Sequence, residues 1–195
     1  MLRVSLVTGP TKIPISLDDL KDELKITHPD EDGVIVRDIN AAVAYAENYT
    51  ETKIMTQTWE YYFDDFPTGD IILPYPPLAS VTSLKYYNSS NVLTTLDTSE
   101  YLVDSVSKPG RIEYVDSWPS VYDKHNAAYV RFVCGYTNQS DVPQGIKDAI
   151  ILLAADFYVN RQDSMYSMGS ASMTQRIITS RNLLDFHKIF NPASV

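Results

Sequence analysis

The sequence predicts an α+β protein in which a helical unit carries an inserted antiparallel β subdomain. Apolar residues recur at helical spacing over residues 16–50 and again over 142–163. Between these stretches, short aromatic and β-branched runs alternate with turn signals. The expected segments are an N-terminal arm and helices (1–54), the β subdomain (55–140), a long helix completing the helical unit (141–163), and a flexible segment with a short C-terminal helix (164–195).

The first third is predicted to contain an extended arm followed by two helices. Residues 1–15 are punctuated by two prolines, each of which disfavours helix in the residue before it. Ser16 and Asp19 form a capping-box pattern that marks the start of the first helix, and His28-Pro29 is expected to end it. After an acidic turn, apolar residues at helical spacing predict a second helix through residue 50.

The middle of the chain is predicted to form short strands. Its apolar runs are rich in Tyr, Val, Ile and Phe, which favour a half-buried pleated surface, and turn signals such as Lys108-Pro109-Gly110 separate them. This density of strands predicts a small antiparallel sandwich or barrel. The expected strands cover residues 58–63, 71–73, 81–87, 92–96, 101–106, 111–115 and 129–136.

The last third is predicted to begin with the long helix. Pro143 suits the start of a helix, and the apolar stripe that follows is broad enough to face a core. The Met/Ser/Gly stretch from Ser164 to Thr174 lacks the apolar density of a core, so we expect it, with the helix behind it and the arm (1–13), to be the least ordered part of the chain. A short helix from Ser180 to Phe190 is expected behind it.

The composition excludes several classes of protein. The 195 residues are 44% hydrophobic, which is enough for a core, and the net charge of -9 argues against tight binding to a nucleic-acid backbone. Residues 1–66 carry six Lys and Arg against thirteen Asp and Glu, so the first third holds most of the excess acid. The longest apolar run is far too short to span a membrane. A single cysteine builds neither a disulfide framework nor a zinc site.

Local motifs give no catalytic, cofactor or metal site. His28, Asp30, Asp32 and Gly33 match part of a calcium loop, but the first and last ligand positions do not fit, and a helix-capping turn is the simpler interpretation. Asp64-Asp65 could supply paired carboxylates for acid–base chemistry, but adjacent residues at a strand end point to opposite faces. No cofactor is therefore expected.

Two further groups are interpreted as parts of the core. Cys134 lies in a predicted strand with no nearby histidine, so burial as a small apolar residue is expected rather than nucleophilic chemistry. The aromatic residues around Trp59 could stack on nucleic-acid bases, but few cations interleave with them, so core packing is expected.

The amino-acid sequences of several segments resemble those of the phage head–tail connector family, also called adaptor or head-completion proteins, in its longer version with a β insertion. The resemblance lies in the order and spacing of segments over residues 14–163 rather than in one specific motif. The chain departs from the family at its C-terminus, where a Met/Ser/Gly stretch replaces the usual Leu-Pro. The matching segments begin with Pro14-Ile15-Ser16-Leu17-Asp18-Asp19-Leu20-Lys21, followed by AAVAYAENYTETKIMTQTW ending at Trp59, Leu73-Pro74 with Pro77-Leu78, Ser80 to Tyr87, Val130 to Tyr136, and Val142-Pro143 to Arg161.

The resemblance implies a structural protein of the virion rather than an enzyme. It implies a ring, with portal symmetry and hence expected to be a dodecamer on the particle, that sits below the portal protein and docks the next connector or the tail. DNA would pass through the channel without specific binding. The expected location is the head–tail junction of a phage or prophage particle, reached from the host cytoplasm during assembly, with no membrane partner.

Charged residues at both ends of the chain are candidates for this role. Acidic side chains could line the channel and repel DNA phosphates, or could contact a neighbour's cations. The cations could equally form an ordinary solvated face. The candidates for channel or subunit contact are Asp22, Glu23, Asp38, Glu47, Arg161, Arg176, Arg181 and Lys188.

Two other functions stay open from the sequence. One is a monomeric β-containing module that binds a host protein or carbohydrate, which an exposed aromatic patch without self-association would favour. The other is a small enzyme whose site is assembled from distant residues, which a pocket of converging titratable groups would favour.

Overall fold

The computed structural model describes residues 3–160 and 170–189, with side chains described for all of these except 170–177. The chain divides into two compact units. The helical unit contains Lys12–Ile54 and the residues from Thr137 to Lys188, and the β unit contains the residues up to Thr11 and Met55–Tyr136. Helices and antiparallel sheets together confirm the predicted α+β class.

The helical unit begins with α1 (Leu17–Leu24), which has the predicted capping box. The Ser16 hydroxyl accepts the Asp19 N–H, and the Asp19 carboxylate accepts the Ser16 N–H. The helix ends before the expected His28-Pro29, because Lys25 adopts a left-handed conformation with φ of 57°. Two β-branched residues and then an X-Pro bond follow, and none of these favours another helical turn.

Two longer helices, α2 (Asp32–Thr50) and α3 (Gln144–Val159), form the core of the helical unit. Glu31 at the start of α2 accepts a hydrogen bond from the Tyr158 hydroxyl at the end of α3, so the two helices run antiparallel. Their facing stripes are buried, including Ile39 on α2 and Ile150 on α3. Burying such side chains contributes about 1.5–3 kcal/mol each.

The last helix, α4 (Ser170–Asp185), differs from the expected 180–190. It starts earlier because no proline or glycine interrupts the chain from Ser170 onward. Leu184 is completely buried, and α4 packs against α3, so this helix belongs to the packing of the helical unit. Of the predicted mobile stretch 164–174, residues 164–169 lie outside the described residues, and residues 170–174 form the start of α4 instead.

The β unit contains all the predicted strands in two antiparallel sheets. One sheet has the order β1-β2-β8-β4-β5 and the other β3-β7-β6. The strands are β1 (Val4–Thr8), β2 (Gln57–Phe63), β3 (Ile71–Ile72), β4 (Leu78–Tyr87), β5 (Leu93–Thr95), β6 (Tyr101–Asp104), β7 (Arg111–Tyr114) and β8 (Ala128–Cys134).

The two sheets share one hydrophobic core, as in a small sandwich. Phe132 and Leu84 from the larger sheet and Ile112 from the smaller one are fully buried in it. Cys134 is also fully buried, as predicted. Trp59 packs against the edge of this core, which confirms the packing interpretation of the aromatic residues.

The N-terminal arm is extended, as expected, but it is also a strand. β1 pairs antiparallel with β2, so that Val4 lies opposite Tyr61 and Leu6 opposite Trp59. Sequence reasoning missed this pairing because the partner strand lies about fifty residues further along the chain. The arm therefore contributes an edge strand to the larger sheet, and Leu6 on it is half exposed.

Gly135 terminates β8 and brings the two ends of the insertion together. Its φ of 91° is in the region that only glycine adopts readily. Beside it, Met55 and Tyr136 form an isolated bridge, and the Thr56 N–H donates to the Tyr136 carbonyl at 3.1 Å. The predicted strand 129–136 consequently ends two residues early.

Gly135→Ala is expected to lower the free energy of unfolding by about 2 kcal/mol or more. An added Cβ would lie 2.3 Å from the Met55 carbonyl oxygen, and the backbone would also be strained. Urea denaturation measures the loss. The matched control is Gly69→Ala, since nothing lies within 4 Å of the added Cβ there. Equal stability of the two variants would contradict the role given to Gly135.

Candidate assembly site

The acidic candidates on α1 are exposed. Asp22 and Glu23 both point to solvent, as does Asp18 in the first turn. The single cation inside this helix, Lys21, is instead turned toward its own unit, where it pairs with Asp32 at 2.7 Å. The exposed part of α1 therefore presents a surplus of negative charge.

The acidic candidates on α2 are buried and make contacts within the helical unit. Asp38 is 4% exposed, and its Oδ1 accepts a hydrogen bond from Arg37 Nη2 at 2.8 Å. Glu47 is 9% exposed and pairs with Lys53 at 2.9 Å, while its other oxygen accepts the Ile54 N–H at 2.9 Å. Glu47 thus holds the segment that follows α2, at Lys53 and Ile54, against the helix.

We expect Glu47→Gln to lower the free energy of unfolding by about 1–3 kcal/mol, because it removes the negative charge beside the largely buried ammonium of Lys53. The amide oxygen of the Glu47→Gln variant can still accept a hydrogen bond from the Ile54 N–H, so the loss of stability measures the contribution of the carboxylate charge beside Lys53. Asp22→Asn, an equivalent change on an exposed carboxylate, should change stability by less than about 0.5 kcal/mol. Thermal and urea unfolding test both, and a larger loss for Asp22→Asn would refute the assignment.

Two of the cationic candidates contact tyrosines of α2. Arg181 Nε donates to the Tyr45 hydroxyl at 2.6 Å, and Lys188 Nζ lies 5.2 Å from the centre of the Tyr49 ring. The Tyr49 hydroxyl donates to Asp185 at 2.6 Å, and this hydrogen bond is the main reason why the pKa of Tyr49 is raised. Arg161 and the side chain of Arg176 lie outside the described residues.

These contacts repeat at helical spacing. Tyr45 and Tyr49 are one turn apart on α2 and stack with an interplanar angle of 6°. Their partners Arg181 and Asp185 are also one turn apart, on α4. The cluster therefore aligns α4 along α2. Sequence reasoning had no signal for it, because the two ends of the cluster are about 136 residues apart.

On the outer face of the larger sheet, Glu60 forms a network with two neighbours. Arg131 Nη2 donates to Glu60 Oε1 at 2.6 Å, and the Tyr62 hydroxyl donates to Oε2. Burial raises the pKa of Glu60, but the hydrogen bonds from Tyr62 and Arg131 and the nearby positive charges outweigh it, and the pKa is lowered. The same hydrogen bond, with partial burial, raises the pKa of Tyr62 to about 12.

Glu60→Gln is expected to bring the pKa of Tyr62 down toward its ordinary value of 10.0, because the carboxylate that favours the neutral phenol is gone. In the native protein the Tyr62 contribution to stability is complete below about pH 10 and is lost as the pH rises through about 12. A pH titration of ¹³Cζ-labelled tyrosine by NMR measures the shift.

The control for that titration is Glu100→Gln. Glu100 accepts a hydrogen bond from Tyr114 at 2.7 Å and raises the pKa of Tyr114 to about 12. This substitution should lower the Tyr114 pKa and leave Tyr62 unchanged. A Tyr62 pKa that stays near 12 in Glu60→Gln would show that the hydrogen bond is not its cause.

The residues of the motifs that imitate metal and acid–base sites pair with one another or with nearby groups. His28 Nδ1 lies 3.6 Å from Asp30 Oδ2, and both side chains are exposed. Among the described residues, no group of three or more His, Cys, Asp or Glu side chains is placed to hold a metal ion. Asp64 accepts hydrogen bonds from Arg3 and from the Asn126 N–H, which keep the pKa of Asp64 well below its usual range, whereas Asp65 caps the Phe66 N–H.

The β unit has two cavities that are lined by carboxylates and aromatic side chains. One, of about 270 Å³, is lined mainly by apolar side chains such as Phe63, with Asp65 and Asp70. The other, of about 440 Å³, shares Asp70 and adds Glu113 and Asp116. The described linings contain carboxylates and tyrosines but no histidine, cysteine, lysine or arginine.

The described helices include none that is both long and apolar enough to cross a membrane. Comparison with protein families matches residues 14–187 to the family described as head completion protein. Because this match spans most of the sequence, the chain belongs to the head completion protein family. Membership confirms the resemblance drawn from the sequence, and a structural family of this kind implies a non-enzymatic role.

Solved structures show the same fold in the particles called gene transfer agents (GTA). A chain in the virion of a native GTA particle aligns over 96% of both chains with a TM-score of 0.77 and 19% identity. A chain in the neck of an empty GTA particle, computed with C6 symmetry, aligns over 97% of this chain and 96% of its own, with a TM-score of 0.78 and 19% identity.

A third similar chain lies in the neck of a native GTA particle computed with C12 symmetry, with a TM-score of 0.73 and 20% identity over 98% of this chain and 96% of its own. At this level of identity the likeness shows a shared fold. No curated protein matches the chain significantly.

Proposed function

We propose that this protein is a head–tail connector of a tailed phage, a prophage or a related particle. The observation that carries the proposal is the agreement of the head completion family match with a fold shared, over nearly the whole length of both chains, with proteins of particle necks. The protein would act at the head–tail junction of the virion and would extend the DNA channel.

The similar neck structures, computed with C6 and C12 symmetry, support a ring of copies. A ring requires a head-to-tail interface, in which two different surfaces of the same chain meet. The proposed partners are a neighbouring copy, the portal protein above the ring, and the next connector or tail protein below it. DNA would pass through without specific binding, because the net charge of -9 opposes a polyanion.

The exposed carboxylates of α1 are the best placed of the predicted acidic residues for an outward role. Asp22 and Glu23 are free to face a channel or a neighbour, whereas Asp38 and Glu47 are committed to contacts inside the helical unit. A negative channel wall would repel DNA phosphates. A negative subunit interface would instead need cations on the neighbouring copy.

The two rival functions receive less support. The enzyme alternative is less favoured because the family matched over residues 14–187 is a structural one. A monomeric binding module would need an exposed aromatic patch, yet most of the aromatic residues around Trp59 and Phe66 pack on the core of the β unit.

The test is the mass of the complex formed with the portal protein of the same particle. We expect the free protein to be monomeric or weakly associated, and a closed ring to form when the portal is present. Mass photometry measures both states. A portal mixture that leaves the protein monomeric, or a tight two-fold dimer in isolation, would contradict the proposal.

A further inference from the structure

Four side chains lie in one row across the larger sheet. The register places Tyr62 opposite Tyr129, and Tyr129 opposite Lys85. The Tyr62 N–H donates to the Arg3 carbonyl, which sets Arg3 opposite Tyr62. Residues directly opposite each other in a sheet project from the same face, so Arg3, Tyr62, Tyr129 and Lys85 share one surface.

Neighbouring positions add two more cations to that surface. Arg131 lies opposite Ser83 on one side and Glu60 on the other, in the next row of the same face. Tyr87 follows Lys85 by two residues on β4 and therefore projects from the same face. Lys124 Nζ lies 3.2 Å from the centre of the Tyr87 ring. We call the surface formed by Arg3, Lys85, Lys124, Arg131 and the tyrosines between them the basic sheet face.

This face concentrates positive charge in an acidic protein. In the described part of the β unit there are six Lys and Arg residues and ten Asp and Glu residues. Four of the six cations lie on the basic sheet face. The acids that join them in these rows, Glu60 and Asp64, are paired with Arg131 and Arg3. Lys85 and Lys124 therefore supply the net positive charge.

We propose that the basic sheet face docks the acidic α1 helix of a neighbouring copy of this chain. The inference rests on the proposed ring and names the two surfaces that meet in it. α1 carries Asp18, Asp19, Asp22 and Glu23 exposed within eight residues. Carboxylates four residues apart lie on the same side of a helix, so they form a compact acidic strip.

Packing among the tyrosines preorganises part of the basic sheet face for binding. Tyr62 and Tyr129 pack with ring centres 5.4 Å apart, and Lys124 rests on Tyr87. Side chains held in this way lose less conformational freedom on binding than free lysines do. Because the two surfaces differ, each copy can bind one neighbour through α1 and another through its sheet, as the head-to-tail interface of a ring requires.

A second copy fits the face better than DNA does. Duplex DNA is bound through a run of cations that neutralise several phosphates, and two of the four cations on this face, Arg3 and Arg131, are already paired with Asp64 and Glu60. An acidic helix with four separate carboxylates can approach Lys85 and Lys124 while leaving Glu60 covered by Arg131. DNA binding to this face is an outcome that the experiment can detect.

The experiment compares charge reversals in the complex with the portal protein. The face variant is Lys85→Glu/Lys124→Glu, and the helix variant is Asp22→Lys/Glu23→Lys. Each should require about tenfold more protein for half-maximal ring formation than the wild type. Lys12→Glu/Lys108→Glu makes the same charge change at two exposed lysines outside the half-buried pair Lys85 and Lys124, and is expected to leave ring formation unchanged.

Combining the face and helix reversals in one chain should restore ring formation, because the opposite charges face each other again. An equimolar mixture of the two separate variants should also form rings, with the variants alternating. Circular dichroism checks folding, and Lys85→Gln/Lys124→Gln provides a milder variant if the reversal unfolds the chain; it should show a smaller loss of the same kind.

The outcomes separate this inference from the proposed function. If the wild type forms no ring on the portal, the proposed function itself fails. If the wild type forms rings and both reversals do so equally well, the docking of α1 on the basic sheet face is wrong. Fluorescence anisotropy measures duplex DNA binding by the wild type and the face variant. If the face variant loses DNA binding but forms rings normally, the docking of α1 on the basic sheet face is wrong and the face is a DNA contact.

Discussion

The inserted segment Met55–Tyr136 depends on the bridge between Met55 and Tyr136, which joins its two ends. The Thr56 N–H and the Thr56 hydroxyl both donate to the Tyr136 carbonyl, across eighty residues of sequence. Closing so long a segment costs conformational entropy, which the bridge and the paired strands β2 and β8 offset together. Gly135 permits the close approach, since any larger residue would collide with the Met55 backbone.

The local structure could be read from the sequence, but its long-range pairing could not. Capping residues and periodicity predicted α1 and α2, and alternating apolar runs with turn signals predicted the strands of the insertion. The strand 101–106 ends early because the Asp104 carboxylate accepts the N–H groups of Val106 and Ser107 and starts a turn. Such side-chain contacts compete with strand pairing and are weakly encoded in composition.

The candidate surfaces show the same limit. Sequence reasoning selected acidic residues by their number in the first third, and the structure divides them into exposed carboxylates on α1 and buried ones on α2. The basic sheet face was invisible in sequence because Arg3, Lys85 and Arg131 come from three distant segments. Only the register of the larger sheet brings them together.

An acidic helix and a basic sheet face on one chain are the two complementary surfaces that the proposed ring of copies needs. The most direct test is a cryo-EM reconstruction of the head–tail junction of the particle that carries this protein. The account predicts a closed ring of this chain at the junction, with α1 of each copy against the larger sheet of the next. A junction without this chain, or with the chain present as isolated copies, would contradict the account.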